Sequence, residues 1–267
     1  MTTDYLDISY SQLALAALLI IANLGISIAF RLGLTQSLII ASLRMVVQLL
    51  LIGFVLEWLF SQQNPWLIVA IGLLMAGVAG QSAVGRTKRR FAGMYWNSVL
   101  SVLVAAAIVT GLALGAIIRV DPWYDPQYLI PLLGMVLGNT LNGVSLGLDR
   151  FMASLVNQQT QVETLLALGA TRWEAARPQM QEAVRTGMIP ITNSMMVMGL
   201  VSLPGMMTGQ ILAGASPIDA VRYQIVIVFM IASGTALGTF GIVLLAFYRL
   251  LSPAHQLRLD LLRNAER

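Results

Sequence analysis

Cysteine is absent from this 267-residue chain. Disulfides, thiolate nucleophiles and cysteine metal sites are therefore excluded, and nothing follows about redox compartment because there is no thiol to protect. His255 is the sole histidine, so a metal site built from two histidines cannot form within the chain. Lysine is equally scarce, with Lys88 alone, which removes a Schiff-base lysine from the apolar runs. Charge as a whole is low: 10% of residues are charged against 57% hydrophobic, and the mean hydropathy is +0.78. A soluble domain carries about 25% charged residues. Too little polar surface remains to coat a water-soluble globule, so the sequence reads as an integral membrane protein forming one domain over 1–267. The formal charge of +4 does not imply nucleic acid as a partner.

A spanning helix needs about 20 mostly apolar residues. Bounding such runs by flanking charges and aromatics gives seven, over 9–30, 38–60, 66–85, 97–118, 129–148, 186–212 and 221–248. The expectation is an all-α polytopic bundle of seven transmembrane helices. No Lys or Arg precedes the first run, which follows Asp4 and Asp7; without the basic start of a signal peptide it is read as a retained span. Orientation follows from Lys and Arg, which stay on the cytoplasmic side of short loops. Arg86, Lys88, Arg89 and Arg90 place the loop after the third run inside, so the N-terminus is expected outside and the C-terminus in the cytoplasm. Arg31, Arg150, Arg172, Arg177, Arg185, Arg249, Arg258, Arg263 and Arg267 then fall inside as well, and only Arg119 and Arg222 fall outside. Asp4, Asp7, Asp121, Asp125 and Asp219 make the outer face mildly acidic.

The longest stretch between runs, 149–187, is cytoplasmic on this reading. Phe151, Leu155, Val162, Leu165, Leu166 and Gly169 recur at spacings near three and four, the pattern of an amphipathic helix that Gly169 would stop. Thr171-Arg172-Trp173-Glu174 then has the form of a capping box, in which the Thr hydroxyl bonds the third amide and the Glu reaches back to the cap. A second helix should start at Arg172, with Pro178 bending it before the chain re-enters the membrane. The segment is thus a cytoplasmic helix-turn-helix.

Little in the spans can carry chemistry. Residues 80–87, Gly-Gln-Ser-Ala-Val-Gly-Arg-Thr, imitate a phosphate-binding loop, but Arg86 stands where lysine is required and an apolar helix precedes them in place of a strand. The chain is expected to bind no cofactor and to be no enzyme. Proton coupling usually relies on ionisable groups buried in the membrane, and no carboxylate lies mid-span. Arg44, with Gln48 one turn on, is the only charge well inside a run; it either snorkels to headgroups or faces a pathway.

The fifth run presents Gly134, Gly138, Gly143 and Gly147 as a small-residue face for close packing, and Gly111–Gly115 and Gly234–Gly238 are similar pairs. Its Asn139, Asn142 and Ser145 form a polar stripe that either lines a pathway or bonds between helices. The sixth run is interrupted by Pro190, Asn193, Pro204, Gly205, Gly209 and Gln210, and broken helices at membrane depth border cavities where transporter sites are often built. It also holds Met188, Met195, Met196, Met198, Met206 and Met207 of the chain's 14 methionines. Thioethers suit soft ions, yet methionine is also a gap-filler, and the favoured reading is a mobile hinge. Asn193, Met196, Pro204, Gly205, Met206, Met207 and Gln210 are its pathway candidates.

Glu163-Thr-Leu-Leu-Ala-Leu-Gly169, followed by Ala170-Thr171-Arg172-Trp173, resembles the coupling loop of ABC-transporter permeases. Residues 199–217, Gly-Leu-Val-Ser-Leu-Pro-Gly-Met-Met-Thr-Gly-Gln-Ile-Leu-Ala-Gly-Ala-Ser-Pro, with Ala220-Val-Arg-Tyr-Gln224, are more distinctive and resemble the FetB-type iron-export permeases and related plant aluminium-resistance permeases. The likeness runs from the first span to the seventh. One departure stands out: where permeases normally follow the glycine with an Ile-x-Leu-Pro element, this chain has Arg177-Pro178-Gln179-Met180.

The resemblance implies a multi-pass permease subunit in the bacterial inner membrane, exporting iron or another metal. Glu163, Leu166, Gly169, Ala170, Thr171 and Arg172 would couple it to a separate ATP-binding subunit, which holds the ATP and Mg. Two copies of the permease would form the working unit. A non-metal cargo such as a sugar nucleotide is the alternative within the family. Outside it, a heptahelical receptor or sensor shares the seven spans and the external N-terminus.

Overall fold

The computed structural model describes residues 9–62 and 64–264. It is all-α apart from two short strands, and six of its helices are long and apolar enough to cross a membrane. The charges Asp4, Asp7 and Arg267 lie outside the described residues.

Two compact units divide the chain. The smaller contains α1 (Tyr10–Ala29) and α2 (Thr35–Phe60). A capping box that the sequence reading missed starts α1: the Ser9 hydroxyl accepts from the Gln12 amide while the Gln12 side chain accepts from the Ser9 amide. Between the helices Ser27 and Thr35 share a hydroxyl hydrogen bond of 3.0 Å. Arg44 and Gln48 are both exposed on α2.

The larger unit holds α3 (Pro65–Gly85), α4 (Met94–Leu112, continued by a π-helical turn over Ala113–Ile118), α5 (Pro126–Asn157), α6 (Gln159–Ala167), α7 (Arg172–Val197), α8 (Gly205–Leu212, all but its last residue) and α9 (Pro217–Leu250). Residues 80–85 are helical, so their amides are spent inside α3 and the imitation phosphate loop does not exist. Helices α5 and α9 form the centre, and the core runs through Val136, Val144, Leu148, Phe151, Ile242 and Phe247.

Small residues decide how closely these helices meet. A Cβ built on Gly187 of α7 would stand 2.6 Å from the Gly143 carbonyl of α5 and from a Thr239 methyl of α9. One on Gly147 would stand 2.5 Å from the same methyl. Three backbones therefore converge at one level, an arrangement that only residues without bulk permit. Gly234 is similarly tight, against Val136 at 2.7 Å. The packing expectation fails at Gly111, Gly115 and Gly138, where an added Cβ would meet nothing within 4 Å.

These contacts also fix direction. Gly143 and Gly147 pair with Thr235 and Thr239, so α5 and α9 run parallel; Ala183 and Gly187 meet Gly147 and Gly143, so α7 is antiparallel to both. Helix α4 is antiparallel to α9 through Ser101–Gly241 and Ala105–Gly238. One end of the unit therefore gathers the C-terminal ends of α3, α5 and α9 with the start of α4 and α7. A two-residue antiparallel ladder there joins β1 (Arg89–Arg90) to β2 (Arg263–Asn264).

Two of the expected spans need correction. The fifth span does not end near Leu148 but continues to Asn157 as one helix, so Phe151 and Leu155 belong to α5 and only 159–167 form a separate helix. The sixth span does not begin at Thr186. It is the second half of α7, which starts at Arg172 and runs without interruption through Pro178 and Pro190 to Val197. Both prolines are exposed, so the carbonyls they leave unbonded lie away from the packed face. Because its first half is polar, α7 is not among the six apolar helices.

Candidate functional site

At the charge-rich end, the turn between α6 and α7 is built from local rules. Gly169 adopts φ +92°, a conformation open to glycine because it lacks a Cβ, and Ala170 closes the turn by donating to the Leu165 carbonyl at 3.0 Å. Thr171 then caps α7: its hydroxyl accepts from the Glu174 amide, and Glu174 accepts the Thr171 amide at 2.8 Å and hydroxyl at 2.7 Å. Those two bonds hold the Glu174 carboxyl below its usual range, since each favours the ionised form. Helix α6 is seated by the fully buried Val162 and half-buried Leu165 and Leu166. Glu163 is exposed and accepts from the Gln159 side-chain amide at 2.8 Å.

Arg172 does something that no local pattern announces. Its backbone amide donates to Nδ1 of His255 at 2.9 Å and its guanidinium to the Leu251 carbonyl at 3.2 Å. The guanidinium carbon lies 5.2 Å from the Tyr248 ring centre and 5.6 Å from that of Phe247, within reach of cation–π attraction. Trp173 adds an edge-to-face contact with Phe247. The start of α7 is thus fastened to the end of α9 and to the tail beyond it. That tail folds back through Leu251–Leu257 pairing, and with Glu163 and Leu166 it borders a cleft of about 440 Å³ that includes His255 and Arg258. His255 had no assigned role in the sequence, and an 83-residue separation from Arg172 left no signal to find it by.

The other end of α7 has a different character. The helix stops at Val197, Met198 turns to extended backbone, and Gly199 at φ +85° reverses the chain, its amide donating to the Ser202 carbonyl at 2.9 Å. After α8, Gly214 at φ +90° prepares the entry into α9. The broken segment and α9 enclose an open cavity of about 480 Å³. Met195, Met198, Pro204 and Met207 line one side of it and Gln224 of α9 the other. Gln224 is only 8% exposed, and its Oε1 meets no donor among the described residues. Its desolvation is costly unless something supplies that donor or charge.

Of the pathway candidates, Pro204 and Met207 reach this cavity. Gly205, Met206 and Gln210 lie on α8 beside it, and Oε1 of Gln210 is also buried without a donor among the described residues. Asn193 and Met196 are exposed on α7 away from the lining. The polar stripe of α5 is not brought there either. The Asn139 amide donates to the Met135 carbonyl of its own helix at 2.9 Å, Asn142 accepts from Arg86 at the basic end, and Ser145 is buried. Met195, Met198 and Gln224 replace them. The methionines were visible as part of a cluster, whereas Gln224 is set in place only by the packing of α9.

Residues 10–251 match the family described as "Uncharacterised protein family (UPF0014)". A UPF0014 membrane protein of Synechocystis is 40% identical over 85% of this chain and 87% of its own. The "Probable iron export permease protein FetB" of Escherichia coli is 31% identical over 94% and 95%. "Protein ALUMINUM SENSITIVE 3" of Arabidopsis thaliana is 33% identical over 91% and 88%. No solved structure matches.

Proposed function

Since this chain belongs to the UPF0014 family of membrane proteins, we propose that it is the multi-pass subunit of an ABC transporter. It would export iron or another metal with ATP hydrolysed by a separate subunit. The relative named as a probable iron export permease supports the cargo class. The broken α7–α8 segment serves as the seventh crossing: α7 leaves the end to which α9 returns, so the chain between them must traverse the layer. With the basic end in the cytoplasm, the N-terminus lies outside and the chain sits in the bacterial inner membrane.

The observation that carries this reading is the continuity of α7. One helix joins the glycine turn to the cavity, a length of about 39 Å for its 26 residues. The ATPase would dock on the exposed Glu163 and the Gly169 turn; a shift there is passed along α7 as a rigid body. At the far end it alters the loop from Met198 to Pro204, where a metal cargo meets thioether sulfurs and the Gln224 oxygen. Two copies of the chain with two ATPase subunits complete the assembly. Movement of cargo follows only if the two positions of α7 differ in affinity for it.

Purified complex in vesicles tests this. Gly169→Pro and Glu163→Ala should leave membrane insertion intact and abolish cargo-stimulated ATP hydrolysis. Undiminished stimulation in both variants overturns the docking assignment.

A further inference from the structure

Between α7 and α9 lies a second groove of about 610 Å³ that the transport reading does not use, bordered by Trp173, Arg177, Gln181, Arg185 and Phe240. Arg177, Gln181 and Arg185 are spaced by four and so share one helix face; both arginines are exposed. Among the described residues neither guanidinium meets a carboxylate. The acids nearest in sequence are committed elsewhere: Glu174 to the Thr171 cap and Glu182 to Arg150. Two cations thus face one groove without a counter-charge among the described residues. Its flanks are aromatic and partly open, Trp173 at 42% and Phe240 at 46% exposed.

The level of this groove can be read from neighbouring helices. Ala183 packs on Gly147, just before Asp149 and Arg150 end the apolar part of α5. Arg185 is the last charge on α7 before its uncharged second half. The groove therefore begins at the boundary between hydrocarbon and water. Gln181 lies about 6 Å along the axis from each arginine, within reach of both long side chains, while Phe240 stands toward the apolar side. Basic pockets between membrane helices at this level suit phospholipid headgroups, and bidentate guanidinium–phosphate pairing supplies the geometry.

We propose that this groove binds the phosphate of an anionic phospholipid, held between Arg177 and Arg185 at the level of Gln181, with the glycerol and upper acyl chain against Phe240. Trp173 closes the watery side. The occupant sits directly on α7, so it biases the position of the lever. The site stands on the groove alone and is independent of ATPase docking.

The test is native mass spectrometry of the purified full chain with phosphatidylglycerol or phosphatidylcholine, followed by graded delipidation. Wild-type protein should retain phosphatidylglycerol selectively. Arg177→Gln and Arg185→Gln should each weaken that retention about fivefold, the double variant more, with unchanged helical circular dichroism. Arg185→Lys, which keeps the charge but loses the bidentate fork, should fall between wild type and Arg185→Gln. Phe240→Ala should weaken lipid retention without creating affinity for inorganic phosphate. Equal retention by the double variant overturns the proposal. Displacement of the lipid by millimolar inorganic phosphate would make this a soluble-phosphate site and overturn the lipid assignment. Unchanged retention with loss of self-association would assign the groove to a second copy of the chain.

Discussion

The two halves of α7 share one helix and almost nothing else. From Arg172 to Gly187 the helix is capped, clamped to the end of α9, and buried through Ala175, Ala176, Gln179, Met180, Ala183 and Gly187. Beyond Ile191 no residue is buried until Ala220. A densely packed segment opens only with much of the fold, whereas a sparsely packed one opens locally at small cost. The difference teaches that one stretch of chain can combine a rigid half with a slack one, which is what the proposed transport role asks of it: rigidity where an ATPase would push, slack where a path would change shape.

The strongest way to break this contrast is to loosen the rigid half. Gly187→Leu forces a side chain where even a Cβ would stand 2.6 Å from Gly143 and Thr239. It should cost about 3 kcal/mol, seen as a lower unfolding temperature of the detergent-solubilised protein. Gly205→Ala, in the slack region where an added Cβ meets nothing within 4 Å, should leave that temperature unchanged. Equal losses would mean that the first half of α7 and the segment beyond its end are packed alike.

Arg172→Ala removes the tie between α7 and the tail, a hydrogen bond and two cation–π contacts worth about 2 kcal/mol together. Faster hydrogen exchange at residues 251–258, with stimulated ATP hydrolysis reduced, is the expected result. Protection equal to wild type would show that the clamp is not needed to hold the lever.

Gln224→Leu should act in the opposite direction on stability. Removing a buried amide oxygen that lacks a donor is expected to raise stability by about 1 kcal/mol while lowering transport in sealed vesicles. A variant that transports at full rate would remove Gln224 from the pathway.

The smallest effect concerns the cap. Because the folded Glu174 carboxyl titrates below its ordinary 4.5, its stabilisation is complete above that pH. It fades as the pH falls through the lowered folded value. Glu174→Gln should abolish this dependence in acid titrations of unfolding, and a persistent slope of the same size would place its origin elsewhere.

Much of this was legible beforehand because local chemistry dictated it. The Gly169 stop and the Thr171–Glu174 box announced the start of α7, and the apolar runs announced α1, α2, α3, α4 and α9 within a few residues. What failed did so for tertiary reasons. Thr186 looked like the start of a span because charge ends there, yet α7 is already helical, supported by Ala175, Ala176 and Ala183 against its neighbours. Asn139 and Asn142 looked like a stripe, but their partners are a carbonyl of the same helix and a distant arginine.

By itself the order of residues determined a membrane-embedded helical chain with a basic end, a capped turn and an interrupted segment. Each follows from transfer free energy, backbone sterics or charge within a few neighbours. Only the folded arrangement decided that Arg172 is clasped by His255, Phe247 and Tyr248, and that Gln224 faces the methionines of the break. It also decided that Arg177 and Arg185 share one groove with Phe240, with no counter-charge among the described residues. Those relations join positions far apart in the chain, and they exist because glycines and threonines let α5, α7 and α9 approach until their backbones touch.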